Sequence, residues 1–231
     1  MVTVKIEYEG KELTQGQFNR IEKNVLNYFL SLWNDIRESV YSIRKKDPRL
    51  IKSEISLVFI GADSLSRFRE IIVSNEEEKS NEVRFREWFD EYVFNDGNEV
   101  YKKYKKEINC NSFIAWKLRN SLLHFYAFPE DEYITFATLE NEQRKDLRRL
   151  ARQASGKELR VISPYRFIEA VISGFLMQTE TIKKLLEGTD DLGKEIYIRG
   201  IVKCHHILKS AGSTFIPIER LENLIKAGKS M

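Results

Sequence analysis

Apolar residues recur at steps of three and four along most of this chain, and at steps of two in only three short places. The first spacing lines one face of a helix and the second one face of a strand. Val2, Val4, Ile6 and Tyr8 alternate with polar residues, so a strand over 2–8 is expected, turned by Glu9-Gly10. Phe18, Ile21, Val25, Phe29, Leu32, Ile36 and Val40 then predict a long helix, with Thr14 as its cap and Pro48 beyond its end.

The run "LIKSEISLVFIGADSLSRFREIIV" contains "ISLVFI", which alone would suit a buried strand. Ile51, Ile55, Val58, Ala62, Leu65, Phe68 and Ile72 step by three and four across the whole stretch, so it reads as helix. Gly61 is then a mid-helix glycine costing about 1 kcal/mol. A solvated connection, "SNEEEKSNE", leads to a shorter helix around 83–93, and "FNDGNE" turns the chain. The next helix begins around Asn109–Asn111, with Asn111 or Ser112 as cap, and ends near Phe128-Pro129.

Downstream, "YITFAT" over 133–138 and "ELRVI" read as short strands around a helix, "LENEQRKDLRRLARQ", that is acidic first and basic last. Ser163-Pro164 is a cap followed by a first-turn proline. The helix it opens carries Phe167, Ile168, Val171, Ile172, Phe175, Leu176 and Ile182, and stops at Gly188. Leu192, Ile196, Ile201, Val202 and Leu208 mark another helix, and a last short one follows Pro217 with Leu221 and Leu224. The expectation is a mainly α protein, a helical bundle with a few short β-strands. Residues 1–231 read as a single domain, with a helical core at about 14–128 and a C-terminal helical extension at about 130–231.

Composition narrows the classes. At 231 residues, 42% hydrophobic and 32% charged, the chain can bury a sizeable core without disulfides. Its net charge of +3 permits a nucleic-acid partner without demanding one. Two cysteines, Cys110 and Cys204, and no CxxC fit a reducing compartment. The N-terminal residues show no basic region followed by an apolar core, and no apolar run approaches the roughly 18 residues of a membrane span. A cytoplasmic protein without membrane contact is therefore expected. No P-loop, GxSxG or HExxH pattern occurs.

One stretch carries chemistry: "WKLRNSLLHFYAFPED", with Arg119, Asn120 and His124. On a helical wheel Ile114, Leu118, Leu122 and Phe125 share one side, while Lys117, Asn120 and His124 share the other. Arg119 falls between Ala115 and Leu123 at the flank of the apolar side, where its charge needs a partner or a route to water. It lies about 140° round from His124, so the two do not share a face on a straight helix. Histidine can take or give a proton near neutral pH, and arginine matches phosphate oxygens bidentately. Together they suit attack of an RNA 2′-hydroxyl on its own phosphate, with no metal or cofactor. The plainer alternative is a solvated helix end, where histidine is favoured by the dipole alone.

Arg119-Asn120-x-x-x-His124 resembles the signature of the HEPN superfamily: an arginine, usually a polar residue next, and a histidine after four to six intervening residues. The aromatic and leucine before it and the aromatic pair after it are similar too, and "ISLVFIGADSLSRF" is similar to the helix that packs beside the motif helix in such proteins. The resemblance covers residues 14–128 as a helix pattern, with its specific positions confined to the motif. It implies a helical bundle that dimerises along the motif face, so that arginine and histidine from two subunits line one cleft. Many members are metal-independent endoribonucleases, found as toxins, phage-defence effectors and RNA-processing enzymes. Others have lost activity and bind nucleotides, RNA or proteins. Carried over, His124 would be the acid/base, Arg119 would hold the phosphate and Asn120 would orient it. Single-stranded RNA, a second copy of the chain and, for a toxin, an antitoxin are the partners implied.

Other basic residues are candidates for RNA contact. Arg144, Arg148 and Arg152 recur at i, i+4, i+8, with Lys145 and Arg149 as a second row, and they could grip a phosphate backbone or simply suit a helix C-terminus. Lys102 and Lys103 in "KKYKK", and Lys117 on the motif helix, could flank the cleft or be solvated. A structural alternative is a helical dimer in which Arg119 pairs with a carboxylate across the interface. Cys204-His205-His206 has metal-ligand residue types, but neighbours on a helix diverge by roughly 100°, and no metal site is expected.

Overall fold

A computed structural model of the protein describes residues 7–8, 11–47, 49–73, 79–125, 134–137, 141–188 and 191–210. The protein is mainly helical, as the periodicity predicts. Two two-residue strands, β1 (Glu7–Tyr8) and β2 (Lys11–Glu12), pair antiparallel with Tyr8 opposite Lys11. Val2, Val4 and Ile6 lie outside the described residues. Helix α1 (Gln15–Lys46) starts with a reciprocal cap: Gln17 N donates to Thr14 Oγ1 at 3.3 Å, and Thr14 N donates to Gln17 Oε1 at 2.8 Å. Its last turn is basic, with Arg44, Lys45 and Lys46 where the helix dipole favours positive charge.

Helix α2 (Ile51–Val73) is the centre of the bundle and packs against α1 and four later helices. These are α3 (Asn81–Tyr92), α5 (Ser112–Phe125), α7 (Pro164–Gly188) and α8 (Asp191–Ser210). Between α3 and α5 lies α4 (Glu99–Ile108), which the apolar pattern did not mark as an element. Strands β3 (Ile134–Phe136) and β4 (Arg160–Ile162) flank α6 (Asn141–Ser155) and pair in parallel, Thr135 opposite Val161. The last helix expected, with Leu221 and Leu224, falls outside the described residues. No helix is long and apolar enough to cross a membrane among the described residues.

The core is one cluster drawing on both halves of the chain. Phe59 of α2 meets Phe85 and Phe89 of α3 at 6.0 and 6.1 Å, and Phe167 of α7 at 5.7 Å, in the range where aromatic rings attract. Each such buried side chain contributes about 1.5–3 kcal/mol of transfer free energy. Every expected apolar position of α1 is buried except Leu32, which is half-buried.

Two buried polar ties fix the register of α7 on the earlier helices. Trp88 Nε1 donates to Gln178 Oε1 at 2.6 Å, and Gln178 Nε2 donates to the Leu65 carbonyl at 3.1 Å. Asn98, fully buried, caps α4 by accepting from Tyr101 N at 3.1 Å and donates to the carbonyls of Tyr92 and Ala170, both at 2.9 Å. Buried polar groups so satisfied specify one arrangement of helices.

Gly61 is more than a tolerated helix interior: a Cβ there would collide with Ile36 Cδ1 of α1 and come within 2.9 Å of the Phe175 ring of α7. At Gly200 of α8 a Cβ would stand 2.5 Å from Ile72 Cα and 2.7 Å from the Ile71 carbonyl oxygen, so the backbones of α2 and α8 nearly touch.

Candidate nucleic-acid interface

Helix α5 begins after Cys110, with Asn111 Oδ1 accepting from Ile114 N at 2.9 Å and Ser112 Oγ donating to Asp90 Oδ2 of α3 at 2.9 Å. Ile114, Ala115, Leu118 and Leu122 are buried beneath α3 and α2. That seating fixes the rotation of the helix and therefore the direction of the motif side chains. Lys117 and Asn120 come out half-buried and His124 exposed, as the wheel places them.

Arg119 has its partner. Its Nη2 donates to Asp63 Oδ2 of α2 at 2.5 Å, and its Nη1 donates to Asn120 Oδ1 at 2.9 Å. The guanidinium also lies 5.1 Å from the centroid of Trp116, within cation–π reach. Its side chain is only 14% exposed, whereas Asp63 is 32% exposed. Its Nε is shielded from solvent and has no hydrogen-bond partner among the described residues. The carboxylate comes from the same chain, so the pair needs no second copy. Arg119 and Asn120 are brought together, with the asparagine oxygen turned to the guanidinium. His124 stands in the last turn of α5, five residues on from Arg119 and on the solvent side.

The remaining basic candidates divide. Lys117 Nζ lies 4.6 Å from the Phe113 ring, on α5 itself. Lys102 is exposed, 3.6 Å from Glu99, and Lys103 Nζ lies 5.0 Å from the Tyr104 ring. The expected row of Arg144, Arg148 and Arg152 is not one exposed stripe. Arg144 is 4% exposed, and its Nη1 donates to the Glu107 carbonyl at the end of α4 at 3.1 Å. Arg152 is exposed, 3.8 Å from Glu158. In the second row Lys145 pairs with Glu142 at 2.6 Å and Arg149 with Asp146 at 3.1 Å.

What α4 and α6 do form is an open cleft of about 480 Å³, lined by Lys106, Asn109, Glu142, Arg144, Lys145 and Arg148. Burial pulls the Arg144 guanidinium below its ordinary value; Glu107 opposes that shift and Arg148 adds to it. Asn109 sits in the left-handed region at φ 43°, which asparagine tolerates, and its carbonyl accepts from Arg160 Nη1 at 3.0 Å. Lys106 closes the lysine run "KKYKK" and Asn109 stands where the motif helix was expected to begin, but nothing in the sequence joined either to the basic helix α6.

Both cysteines are buried free thiols. Burial pushes the Cys110 thiol up to about 12 and the Cys204 thiol higher still. No group of three His, Cys, Asp or Glu side chains is arranged to hold an ion among the described residues. Compared with family models, with curated proteins and with solved structures, the chain matches none.

Proposed function

We propose that the protein is a metal-independent endoribonuclease of HEPN type that works as a homodimer, in a toxin or phage-defence role. The observation that carries this reading is the Arg119 guanidinium, anchored by Asp63 and Asn120 on the helix that presents His124 to solvent. An anchored cation is pre-organised for a phosphate, and an exposed imidazole can exchange protons. His124 takes the proton from a 2′-hydroxyl as that oxygen attacks the adjacent phosphorus. The bond from phosphorus to the 5′-oxygen breaks, and His124 of a second copy protonates the departing oxygen. The products are a 2′,3′-cyclic phosphate and a 5′-hydroxyl, and Arg119 balances charge on the phosphate oxygens in between.

A second reading is a non-catalytic RNA-binding module. The Asp63 ion pair favours it, because a carboxylate at 2.5 Å already neutralises the guanidinium. Incubation with single-stranded RNA in EDTA separates the two. Cleavage by the parent protein that leaves 5′-hydroxyl ends, abolished in His124→Ala, supports the nuclease. RNA retained intact by both proteins overturns it in favour of the binding module.

A further inference from the structure

We infer that the cleft between α4 and α6 grips the phosphodiester backbone of a single strand, at a place separate from the Arg119–His124 motif. The inference rests on the RNA reading above and adds where the strand is held.

Four cations, Lys106, Arg144, Lys145 and Arg148, line this concave surface. Glu142 is spent on Lys145, its partner at 2.6 Å. Lys106 and Arg148 have no carboxylate within 4.0 Å among the described residues. Three of the four cations thus remain in excess, and a concave surface with an excess of one sign concentrates field and draws in polyanions. The buried Arg144 at the base is held by the Glu107 carbonyl, so its position is fixed before any ligand arrives. Among the described residues no aromatic side chain lines the cleft, so it offers bases no aromatic stacking platform. A site with cations and no stacking platform reads phosphates and tolerates any sequence.

The cleft lies at the start of α5, at Asn109, and His124 lies in the last turn. Ser112 to His124 spans roughly 18 Å of helix axis. Holding and cutting are therefore placed at opposite ends of one rigid element. The cations of the cleft address phosphates, which DNA shares with RNA, so the grip accepts DNA as readily as RNA, and preference for RNA arises at the motif.

The test is binding of a fluorescent 2′-O-methyl RNA 12-mer, which cannot be cleaved by 2′-hydroxyl attack, followed by anisotropy across a salt series. The parent protein binds it, and Lys106→Glu/Arg148→Glu weakens binding by at least about tenfold and lowers the salt slope by about 1.4. A charge-matched control on α1, Lys23→Glu/Lys45→Glu, stays within about twofold of the parent. Single-stranded DNA of equal length binds within about threefold of RNA. Should the glutamate variant misfold by circular dichroism, Lys106→Gln/Arg148→Gln takes its place with the same direction of change. The inference is overturned by no binding at low salt, by parent-like affinity of the cleft variant, or by a mononucleotide competing as well as the 12-mer. It is overturned equally by strong rejection of DNA. Failure of RNA cleavage would leave all these arms intact, so the nuclease reading and this one fail separately.

Discussion

Asp63 and Arg119, 56 residues apart in sequence, close an ion pair at 2.5 Å across the contact between α2 and α5. It is a polar link between the central helix of the bundle and the motif helix, beside the apolar seating of Leu118 and Leu122. Asp63→Ala strands a mostly buried guanidinium and is expected to cost about 1.5–3 kcal/mol, the worth of a hydrogen bond to a charged group. Urea unfolding of Asp63→Ala, Arg119→Ala and the double variant checks it, and the double variant should lose less than the sum of the singles. Additive losses would mean the two side chains act independently.

At Gly200 an added methyl meets backbone, not a yielding side chain. Gly200→Ala is expected to cost about 1–3 kcal/mol by forcing α8 off α2. That corresponds to a Tm drop of roughly 2–12 °C in a chain of this size. Gly16, in the first turn of α1, has nothing within 4 Å of its Cβ position. Gly16→Ala should raise stability by up to about 1 kcal/mol. A Gly200→Ala melt at or above that of the parent would refute the close approach.

Glu54 is fully buried on α2, where Arg44 donates to its Oε2 at 3.0 Å and stacks over Tyr165 at 4.2 Å. Burial raises its carboxyl pKa, and Arg44 only partly offsets that. A raised carboxyl pKa means the folded state binds the proton more tightly than the unfolded chain does. Ionised Glu54 thus costs stability at neutral pH, and that cost is relieved as pH falls through the raised value towards the ordinary glutamate value of about 4.3. Glu54→Gln is expected to equal or exceed the parent in stability at pH 7, its relative advantage shrinking on acidification. Denaturant midpoints of both proteins at two pH values read this out. A glutamine variant weaker than the parent by over about 1 kcal/mol at pH 7 would show that the ion pair outweighs desolvation.

Cys110 and Cys204 are free, buried thiols. With Cys110 raised to about 12 and Cys204 raised further, the reactive thiolate is scarce in the folded protein at pH 8. A thiol reagent should label neither in native buffer and both in denaturant. Fast native labelling of either would contradict the packing around it.

Much of the bundle was legible because burial and period coincide. In α2, Ile55, Val58, Ala62, Leu65, Phe68 and Ile72 are all buried as their spacing predicts. Pro164 opens α7 where its missing N–H is harmless. The apolar pattern did not bound α4 because four lysines dominate "EVYKKYKKEI", while its anchor is the buried asparagine before it. Arg144 looked like part of an exposed row because its partner is a backbone carbonyl on that unread helix. For Arg119 the sequence could say that a partner was needed, from its place on the wheel. It could not name Asp63, since side-chain contacts across two helices follow from tertiary seating and not from local spacing.

The ties from Trp88 to Gln178 and from Asn98 to the Ala170 carbonyl bear on synthesis. A nascent chain that has just released His124 from the ribosome holds the whole motif but none of α7. Its buried indole and amide groups still face water or one another. The bundle must wait for α7 before these hydrogen bonds close. Translation order thus keeps the motif helix on an unfinished scaffold until α7 has emerged.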